Sequence, residues 1–290
     1  MGNLARVNDV HSNLESGFTQ LTTYFDKKYK VGWYYMGAQP RPCFTGTLLD
    51  EIKSFQQSVK IEMKNSKQEK YDYLVLASEV DNVFNLGGDL AIFSTLIQQK
   101  NRMGLLAYAV KCIDVLYNNI RHLDSELTTI SLVKGDALGG GFEAALSSNV
   151  LIAERGTKLG LPEVLFNLFP GMGAYSLLSR KVSKAQAEAL ILSGQLYHAE
   201  ELYEMGIVDI LANKNGGETA VYKYIQSANR KANSHNAIRR VRDVCDQISY
   251  EELIEIAHIW VDFALKLSHK DLRMIERLVT RQTENATHSA

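Results

Sequence analysis

Residues 135–145 read GDALGGGFEAA, and this stretch decides the interpretation of the chain. It follows a β-like run from Leu127 to Val133, and it opens a segment of helical character. The three glycines at 139–141 leave backbone N–H groups uncovered by side chains where the helix begins. Such groups point outward with partial positive charge, so the turn suits a bound phosphate or an oxyanion.

The phosphate interpretation fits the sequence poorly. Residues 139–144 satisfy the pattern G-x-G-x-x-A after a strand, which is the first mark of a dinucleotide site. The helix is too short, however, and Glu154 at the end of the next strand comes too early for a ribose contact expected ~20 residues on. No G-K-[ST] follows, which excludes a P-loop.

The oxyanion interpretation finds support elsewhere in the chain. A second glycine loop, FNLGGDL at 84–90, also follows a predicted strand and can supply the second amide that an oxyanion site needs. Two glutamates stand among apolar residues, Glu143 just past the glycines and Glu163 directly after Pro162. Lone carboxylates in apolar surroundings are costly unless they are paired or protonated, so the two together suggest a general acid and a general base.

Bulk composition narrows the class of protein. The 290 residues carry a formal net charge of −1, which gives no electrostatic indication of nucleic-acid binding. Three cysteines, far apart, predict neither a disulfide framework nor a zinc site and favour a reducing, cytoplasmic location. No apolar run approaches ~18 residues, so no membrane span is expected. The seven histidines form no closely spaced ligand pair, so no metal site is expected.

The order of predicted elements favours an α/β core followed by a helical region. The pattern comprises a hairpin over 18–36, a helix over 47–64, a buried strand over 71–79, helical sequence from Leu90 to about Asn119, a short helix ending at Ser148, a strand over 150–154, and almost wholly helical sequence over 217–282.

Four blocks of this sequence resemble the signature blocks of the enoyl-CoA hydratase/isomerase (crotonase) superfamily. They are FNLGGDL, ALGGGFEAAL, GLPEVLFNLFPGMGA and AEELYEMGIVD, in order and suitably spaced. The resemblance implies a spiral of ββα units with a helical C-terminal region that packs over the pocket and builds trimers. It implies oxyanion donors at the N–H groups of Leu86 and Gly140, acid/base roles for Glu143 and Glu163, and no cofactor.

The same resemblance implies three regions of the chain. Residues 1–17 form an N-terminal extension, residues 18–215 the crotonase-like α/β core, and residues 216–290 the helical region that covers the pocket and forms the oligomer interface.

Longer versions of these blocks, together with IWVDFALKL, are similar to the diffusible signal factor synthases, which make cis-2-unsaturated fatty acid signals for bacterial quorum sensing. That subfamily implies a 3-hydroxyacyl-ACP substrate that is dehydrated and then hydrolysed to the free acid. It also implies a partner, the receiver domain of a cognate sensor kinase. The loop Asn85–Asp89 and Phe142 depart from ordinary hydratases in a way that agrees with this subfamily.

An acyl substrate requires an apolar tunnel and a carrier. Candidate lining residues are Gly87 and Gly139 at the turns and Leu161, Leu165, Met172 and Trp260 along the chain, although plain core packing explains any one of the last four equally well. A basic surface at 239–243 (RRVRD) or at Arg180-Lys181 would suit an acidic acyl carrier protein. The absence of a clear CoA 3′-phosphate motif favours ACP over CoA.

Two other functions stay open at this point. A conventional enoyl-CoA hydratase or isomerase of fatty-acid metabolism would use the same residues and release no free acid. A regulatory binding protein for a sensor kinase would need neither glutamate, and the presence of both argues against a purely binding role.

Overall fold

The fold is built from short strands that follow one another in pairs. The computed structural model describes residues 17–65 and 70–287, so the predicted N-terminal extension, apart from residue 17, lies outside the described residues. The strands within these ranges are β1 (Leu21–Asp26), β2 (Val31–Met36), β3 (Tyr73–Ser78), β4 (Val83–Asn85), β5 (Thr128–Val133), β6 (Asp136–Leu138), β7 (Val150–Glu154), β8 (Lys158–Gly160), β9 (Leu196–His198) and β10 (Ile210–Ala212).

The helices lie between the strand pairs and after the last strand. No helix in the described ranges is both long enough and apolar enough to cross a membrane. The α-helices of these ranges are α1 (Gly46–Asn65), α2 (Leu90–Gln98), α3 (Arg102–Ile120), α4 (Gly140–Leu146), α5 (Ala174–Leu178), α6 (Lys184–Ser193), α7 (Ala199–Glu204), α8 (Gly217–Asn229), α9 (Ala232–Cys245), α10 (Tyr250–Ala264) and α11 (His269–Thr287).

Consecutive strands divide between two sheets. The larger sheet has the order β1-β2-β3-β5-β7-β10, parallel except for the β1–β2 hairpin, and the smaller has the order β4-β6-β8-β9, parallel except for β8–β9. Each of the pairs β3/β4, β5/β6 and β7/β8 therefore sends one strand to each sheet, and α2 follows the first pair and α4 the second. This repeat is the ββα spiral, and it confirms the predicted fold class.

The larger sheet is covered on both faces, as the apolar strand sequence YLVLAS predicts. Leu74 and Leu76 of β3 face the main core with α1 and α3, whereas Val75 faces a second cluster with Val221 and Ile225 of α8. The fold is thus layered, with α8 outside one face of the sheet and the small sheet and the remaining helices beyond the other.

Two local features differ from the sequence-based expectations. The helix predicted from Leu90 to about Asn119 is two helices, because Lys100 has φ 52° and the Asn101 side chain accepts the Gly104 N–H at 2.9 Å as the cap of α3. The small sheet was not predicted. Its strands have three residues each, too few to show an alternating pattern.

The first turn of α4 packs directly on β4 because it carries no side chain there. A Cβ atom on Gly141 would lie 2.0 Å from the Asn85 carbonyl oxygen. That distance is shorter than any real Cβ contact, so no other residue fits without moving one of the two elements.

We expect Gly141→Ala to lower the free energy of unfolding by about 1–3 kcal/mol, measured by urea denaturation, because the methyl group forces α4 away from β4. Gly46→Ala is the matched control, since Gly46 opens α1 with no atom within 4 Å of a Cβ, and it should be neutral or stabilising by up to ~1 kcal/mol. Equal effects of the two variants would contradict the packing argument.

Candidate active site

A cavity of about 240 Å³ lies between the start of α4, the loop after β4 and the turn that carries Glu163. Its wall is mostly apolar, and its polar groups include two carboxyl groups and the backbone of the glycine turns. Both sequence-predicted glutamates, Glu143 and Glu163, line this one cavity.

Glu143 is a buried carboxyl group with two backbone donors. It lies in the first turn of α4, and its Oε1 accepts the N–H groups of Met172 at 2.8 Å and Ala174 at 2.9 Å. Burial raises the pKa of Glu143, while the amides of residues 172–174 act in the opposite direction by stabilising the carboxylate. The residue is therefore desolvated but hydrogen-bonded in its charged form.

Glu163 has a different environment. It lies in a 3-10 turn, Pro162–Phe166, and a Cβ on Gly139, whose φ is 52°, would lie 2.4 Å from its Oε1, so a side chain there would displace the carboxyl group. Its Oε2 is buried and has no hydrogen-bond partner among the described residues. Burial first, and the charge of Glu143 second, raise the pKa of Glu163.

These environments determine how the pair holds protons. Burial disfavours the charged form of both carboxyl groups, and the charge of Glu143 further disfavours that of Glu163, so one proton on the pair is favoured over two negative charges. Because Glu143 has two amide donors and Glu163 Oε2 has none, the negative charge is favoured on Glu143 and the proton on Glu163. The site thus contains one carboxylate base and one carboxylic acid.

The predicted amide Gly140 N–H is available at the cavity wall. It is the first N–H of α4, has no acceptor among the described residues, and belongs to a cavity-lining residue. Gly87 comes close on the other side, since a Cβ there would lie 3.1 Å from Gly140 N, and its φ of 90° also favours glycine. The glycines of both loops are thus needed for close backbone approach.

The prediction of Leu86 as the second oxyanion donor is wrong for this structure. The Leu86 N–H donates to the Pro42 carbonyl oxygen at 2.8 Å, which turns it away from the cavity. The segment around Pro42 lies far away in sequence, so this contact was not foreseeable from the loop itself.

The Gly88 N–H, and not the Leu86 N–H, is the amide of this loop that faces the cavity. The Gly87 carbonyl accepts the Phe44 N–H at 2.8 Å, and in a trans peptide the N–H of the next residue points the opposite way. Gly88 N lies 3.5 Å from where a Cβ on Gly140 would stand, and it has no acceptor among the described residues. The facing amides are therefore those of Gly88 and Gly140.

The apolar wall contains most of the predicted tunnel residues. Leu165, Met172 and Trp260 line the cavity, with Leu165 55% exposed at its edge. Leu161 is not among the lining residues, and its side chain is buried in the main core. Its prediction as a lining residue is wrong because an apolar residue next to a turn gives no indication of which side it faces.

Sequence reasoning missed the part of the wall that α2 and α3 supply. Phe93 of α2 contacts Trp260 with 5.0 Å between ring centroids. Tyr108, Ala109 and Cys112 of α3 close the inner end near Glu143. Spacing of three and four residues along α3 is the signal that marks one helix face, although it does not tell a cavity wall from plain core.

The basic residues proposed for carrier docking lie elsewhere. Arg180, Lys181 and Arg242 line a separate polar cavity of about 290 Å³. Arg180 pairs with Glu252 at 3.2 Å and Lys181 with Asp209 at 3.1 Å, so their charges are already neutralised locally. These groups do not surround the cavity that holds the two glutamates.

The raised carboxyl pKa values predict how stability depends on pH. Stabilisation from a group with a raised folded-state pKa is complete below its unfolded pKa, ~4.3 for Glu, and is lost as pH rises through the folded-state pKa. Glu163→Gln removes the buried charge. The melting temperature of the variant minus that of the wild type should therefore be larger at pH 9 than at pH 5. Each 1 kcal/mol of stability that the wild type loses corresponds to roughly 2–4 °C of this difference.

Glu255→Gln serves as the control, because Glu255 is exposed on α10, and its difference from the wild type should not change with pH. A Glu163→Gln difference that is equal at pH 5 and pH 9 would show that the carboxyl group does not ionise in this range.

Comparison with known proteins agrees with this geometry. The family model described as enoyl-CoA hydratase/isomerase matches residues 52–276. The chain is 39% identical over 111 residues to "Probable enoyl-CoA hydratase echA8" of Mycobacterium bovis and of Mycobacterium tuberculosis. That alignment covers 36% of this chain and 43% of the relatives, so the chain matches less than half of their length.

Solved structures show the same fold at low sequence identity. The enoyl-CoA hydratase of Bacillus halodurans has a TM-score of 0.74 at 19% identity, covering 89% of this chain and 100% of that one. Pseudomonas aeruginosa DspI has a TM-score of 0.65 at 19% identity, covering 90% and 98%. With a family model that spans most of its length and a fold shared with these structures, the chain belongs to the enoyl-CoA hydratase/isomerase (crotonase) family.

Proposed function

We propose that this protein is a synthase of a cis-2-unsaturated fatty acid signal of the diffusible signal factor type. It takes a 3-hydroxyacyl thioester, removes water across Cα and Cβ, and hydrolyses the resulting enoyl thioester to the free acid. The observation that carries the proposal is the pair of buried carboxyl groups, Glu143 and Glu163, in one apolar cavity that also presents the Gly88 and Gly140 amides.

The first step uses the amides and the carboxyl pair together. The thioester carbonyl lies between the N–H groups of Gly88 and Gly140, which stabilise the enolate oxygen as charge develops on it. One glutamate, as carboxylate, takes the Cα proton, and the other, as acid, gives its proton to the 3-hydroxyl group, which leaves as water. One C–H and one C–O bond break, and one C=C bond forms. The glutamate that acted as base is now protonated, and the one that acted as acid is now a carboxylate.

The second step uses the same groups in exchanged roles. The carboxylate left by the first step takes a proton from water as that water attacks the thioester carbon, and the two amides stabilise the tetrahedral oxyanion. The other glutamate, now protonated, gives its proton to the departing thiolate. A C–O bond forms, the C–S bond breaks, and the pair returns to its starting protonation state.

The composition of the cavity wall supports an acyl chain as the substrate. Two blocks that carry the narrower resemblance, FNLGGDLAIF and IWVDFALKL, are far apart in sequence but supply Phe93 and Trp260, whose rings touch in the wall. Leu278 of α11 closes the same wall from the C-terminal region. A wall of this size and polarity favours binding of hydrocarbon through burial of apolar surface.

The carrier and the assembly are proposed on the same basis. We propose acyl-ACP as the substrate form and the receiver domain of a sensor kinase as a partner, both from the subfamily resemblance. We also propose a homo-oligomer that uses the helical region 216–290. A stripe on α9, Ile238, Val241 and Val244, is 56%, 53% and 80% exposed, and an apolar stripe of this kind is typical of a subunit interface.

A conventional enoyl-CoA hydratase is the second candidate, and the names of the matched relatives favour it. The same amides and carboxyl groups would add water to an enoyl-CoA without cleaving the thioester. The two functions differ in one product, because only the synthase releases a free thiol and a free acid.

The deciding experiment gives purified protein 3-hydroxyacyl-ACP and 3-hydroxyacyl-CoA and measures free thiol and, by mass spectrometry, free cis-2-enoic acid. We expect free thiol and free cis-2-enoic acid in equal amounts. Culture extracts should contain the acid only when the protein is present. Rapid hydration of crotonyl-CoA without thiol release would establish the conventional hydratase instead. Absence of all turnover would favour a binding protein.

We expect Glu143→Gln and Glu163→Gln each to lower free-acid formation by at least about 10²-fold, since each removes one of the two proton-transferring groups. Circular dichroism should show that both variants are folded, and Glu255→Gln should retain wild-type turnover. Normal turnover by either active-site variant would remove that glutamate from the mechanism.

A further inference from the structure

We infer that Tyr108 is a positioning residue that fixes the direction of the Gly88 amide, although it need not touch the reacting atoms. The inference deepens the proposed function and rests on its oxyanion site, which the second candidate function shares. It comes from the hydrogen bonds around Gly88, which the family resemblance did not include.

Two peptide planes flank the Cα atom of Gly88: its N–H lies in the first, and the second, once anchored, limits how far the first can rotate. The first plane carries the Gly87 carbonyl and the Gly88 N–H. The Gly87 carbonyl accepts the Phe44 N–H at 2.8 Å, so the Gly88 N–H on the opposite edge of the plane is directed away from Phe44. The first plane is thereby fixed relative to residue 44.

The second plane carries the Asp89 N–H, which donates to the Tyr108 hydroxyl oxygen at 3.0 Å. The same hydroxyl group donates its proton to the carbonyl oxygen of Phe44. One oxygen atom of Tyr108 therefore connects the second plane to the residue that holds the first.

Tyr108 is chemically suited to this double role. A neutral phenol has one donor and free acceptor lone pairs, which is what this pair of contacts requires. Burial raises the pKa of Tyr108 well above its usual value, so the group stays neutral and keeps its proton. The side chain is 7% exposed, so water does not readily replace the hydroxyl group if it is removed.

The Tyr108 ring also packs, and this allows packing to be separated from positioning. The ring meets Phe93 edge-on, with 5.1 Å between centroids, and Phe93 in turn fills the space where a Cβ on Gly88 would lie, 2.5 Å from Cζ. Tyr108→Phe keeps this ring contact and removes only the oxygen that joins the Asp89 N–H to the Phe44 carbonyl.

The matched control is Tyr34→Phe. Tyr34 is 1% exposed, and its hydroxyl donates to Asn119 Oδ1 at 3.2 Å within the main core. It is not among the residues that line the cavity. Both substitutions delete one buried hydroxyl group and leave a former partner unsatisfied, but only Tyr108→Phe removes a contact of the loop that carries Gly88, whose main-chain bonds to Pro42 and Phe44 remain.

The experiment measures kcat and KM for the wild type and both variants, with either thiol release or enoyl hydration as the assay. We expect Tyr108→Phe to lower kcat by about ten- to 10²-fold with KM changed less than about threefold. The reason is that the Gly88 N–H is displaced from the oxygen atom on which negative charge develops in the transition state. Tyr34→Phe should stay within about twofold. A Tyr108→Phe loss no larger than that of Tyr34→Phe would overturn the inference.

A spectroscopic readout keeps the test independent of turnover and of the carrier. The probe is an enoyl N-acetylcysteamine thioester labelled with ¹³C at the carbonyl, whose infrared stretch moves to lower wavenumber when amides polarise it. This shift should be smaller in Tyr108→Phe than in the wild type and in Tyr34→Phe. Equal shifts in all three proteins would overturn the inference, even if the proposed synthase activity is absent.

If circular dichroism shows that Tyr108→Phe is not folded, 3-fluorotyrosine placed at position 108 provides the second variant. It keeps the ring and both hydrogen bonds but alters the strength of each, so the bound carbonyl stretch should change relative to the wild type. The same replacement at position 34 should leave it unchanged. An unchanged stretch with fluorotyrosine at position 108 would overturn the inference.

Discussion

The close approach of the α4 N-terminus to the loop after β4 is the constraint on which the site depends. A Cβ on Gly141 would lie 2.0 Å from the Asn85 carbonyl oxygen, and one on Gly87 would lie 2.8 Å from the Leu138 carbonyl oxygen, distances that real Cβ atoms essentially never show. Because both backbones are bare at this junction, amides from two separate ββα units face the same space. The same contact sets the start of α4, and this places Glu143 in the first turn beside those amides.

This arrangement buries two carboxyl groups, and their surroundings determine which of them more readily carries a negative charge. Burial raises the pKa of Glu143, and the amides of Met172 and Ala174 offset part of this effect by stabilising its carboxylate form. Glu163 Oε2 lacks any such partner in the described chain, so its neutral form is favoured. The asymmetry between an acid and a base therefore arises from backbone geometry outside the two side chains, in the loop that leads into α5.

The sequence was sufficient for the features that local rules determine. Glycine runs after strands predicted exposed amides, apolar flanks suggested an acid/base role for Glu143 and Glu163, and the resemblance to the crotonase superfamily assigned both to one site. It was not sufficient for Leu86, whose N–H is taken by Pro42, or for Leu161, which faces the core. Both depend on contacts between distant segments, as do Phe93 and Tyr108 in the wall, and no local pattern encodes them.

The proton balance of the pair explains why one site suits two consecutive reactions. Under the proposed function, dehydration leaves the former base protonated by the Cα proton and the former acid ionised, so a site that stopped there would have to re-equilibrate before the next turnover. Hydrolysis requires the opposite protonation of the two glutamates, with the former acid as the carboxylate that activates water and the former base as the acid that protonates the thiolate. It restores the protonation that the pair had before dehydration. Under the proposed function the Gly88 and Gly140 amides serve both steps, since each step places negative charge on the same carbonyl oxygen. Under the proposed function, thioester cleavage therefore needs no residue beyond those that a hydratase of this family already has.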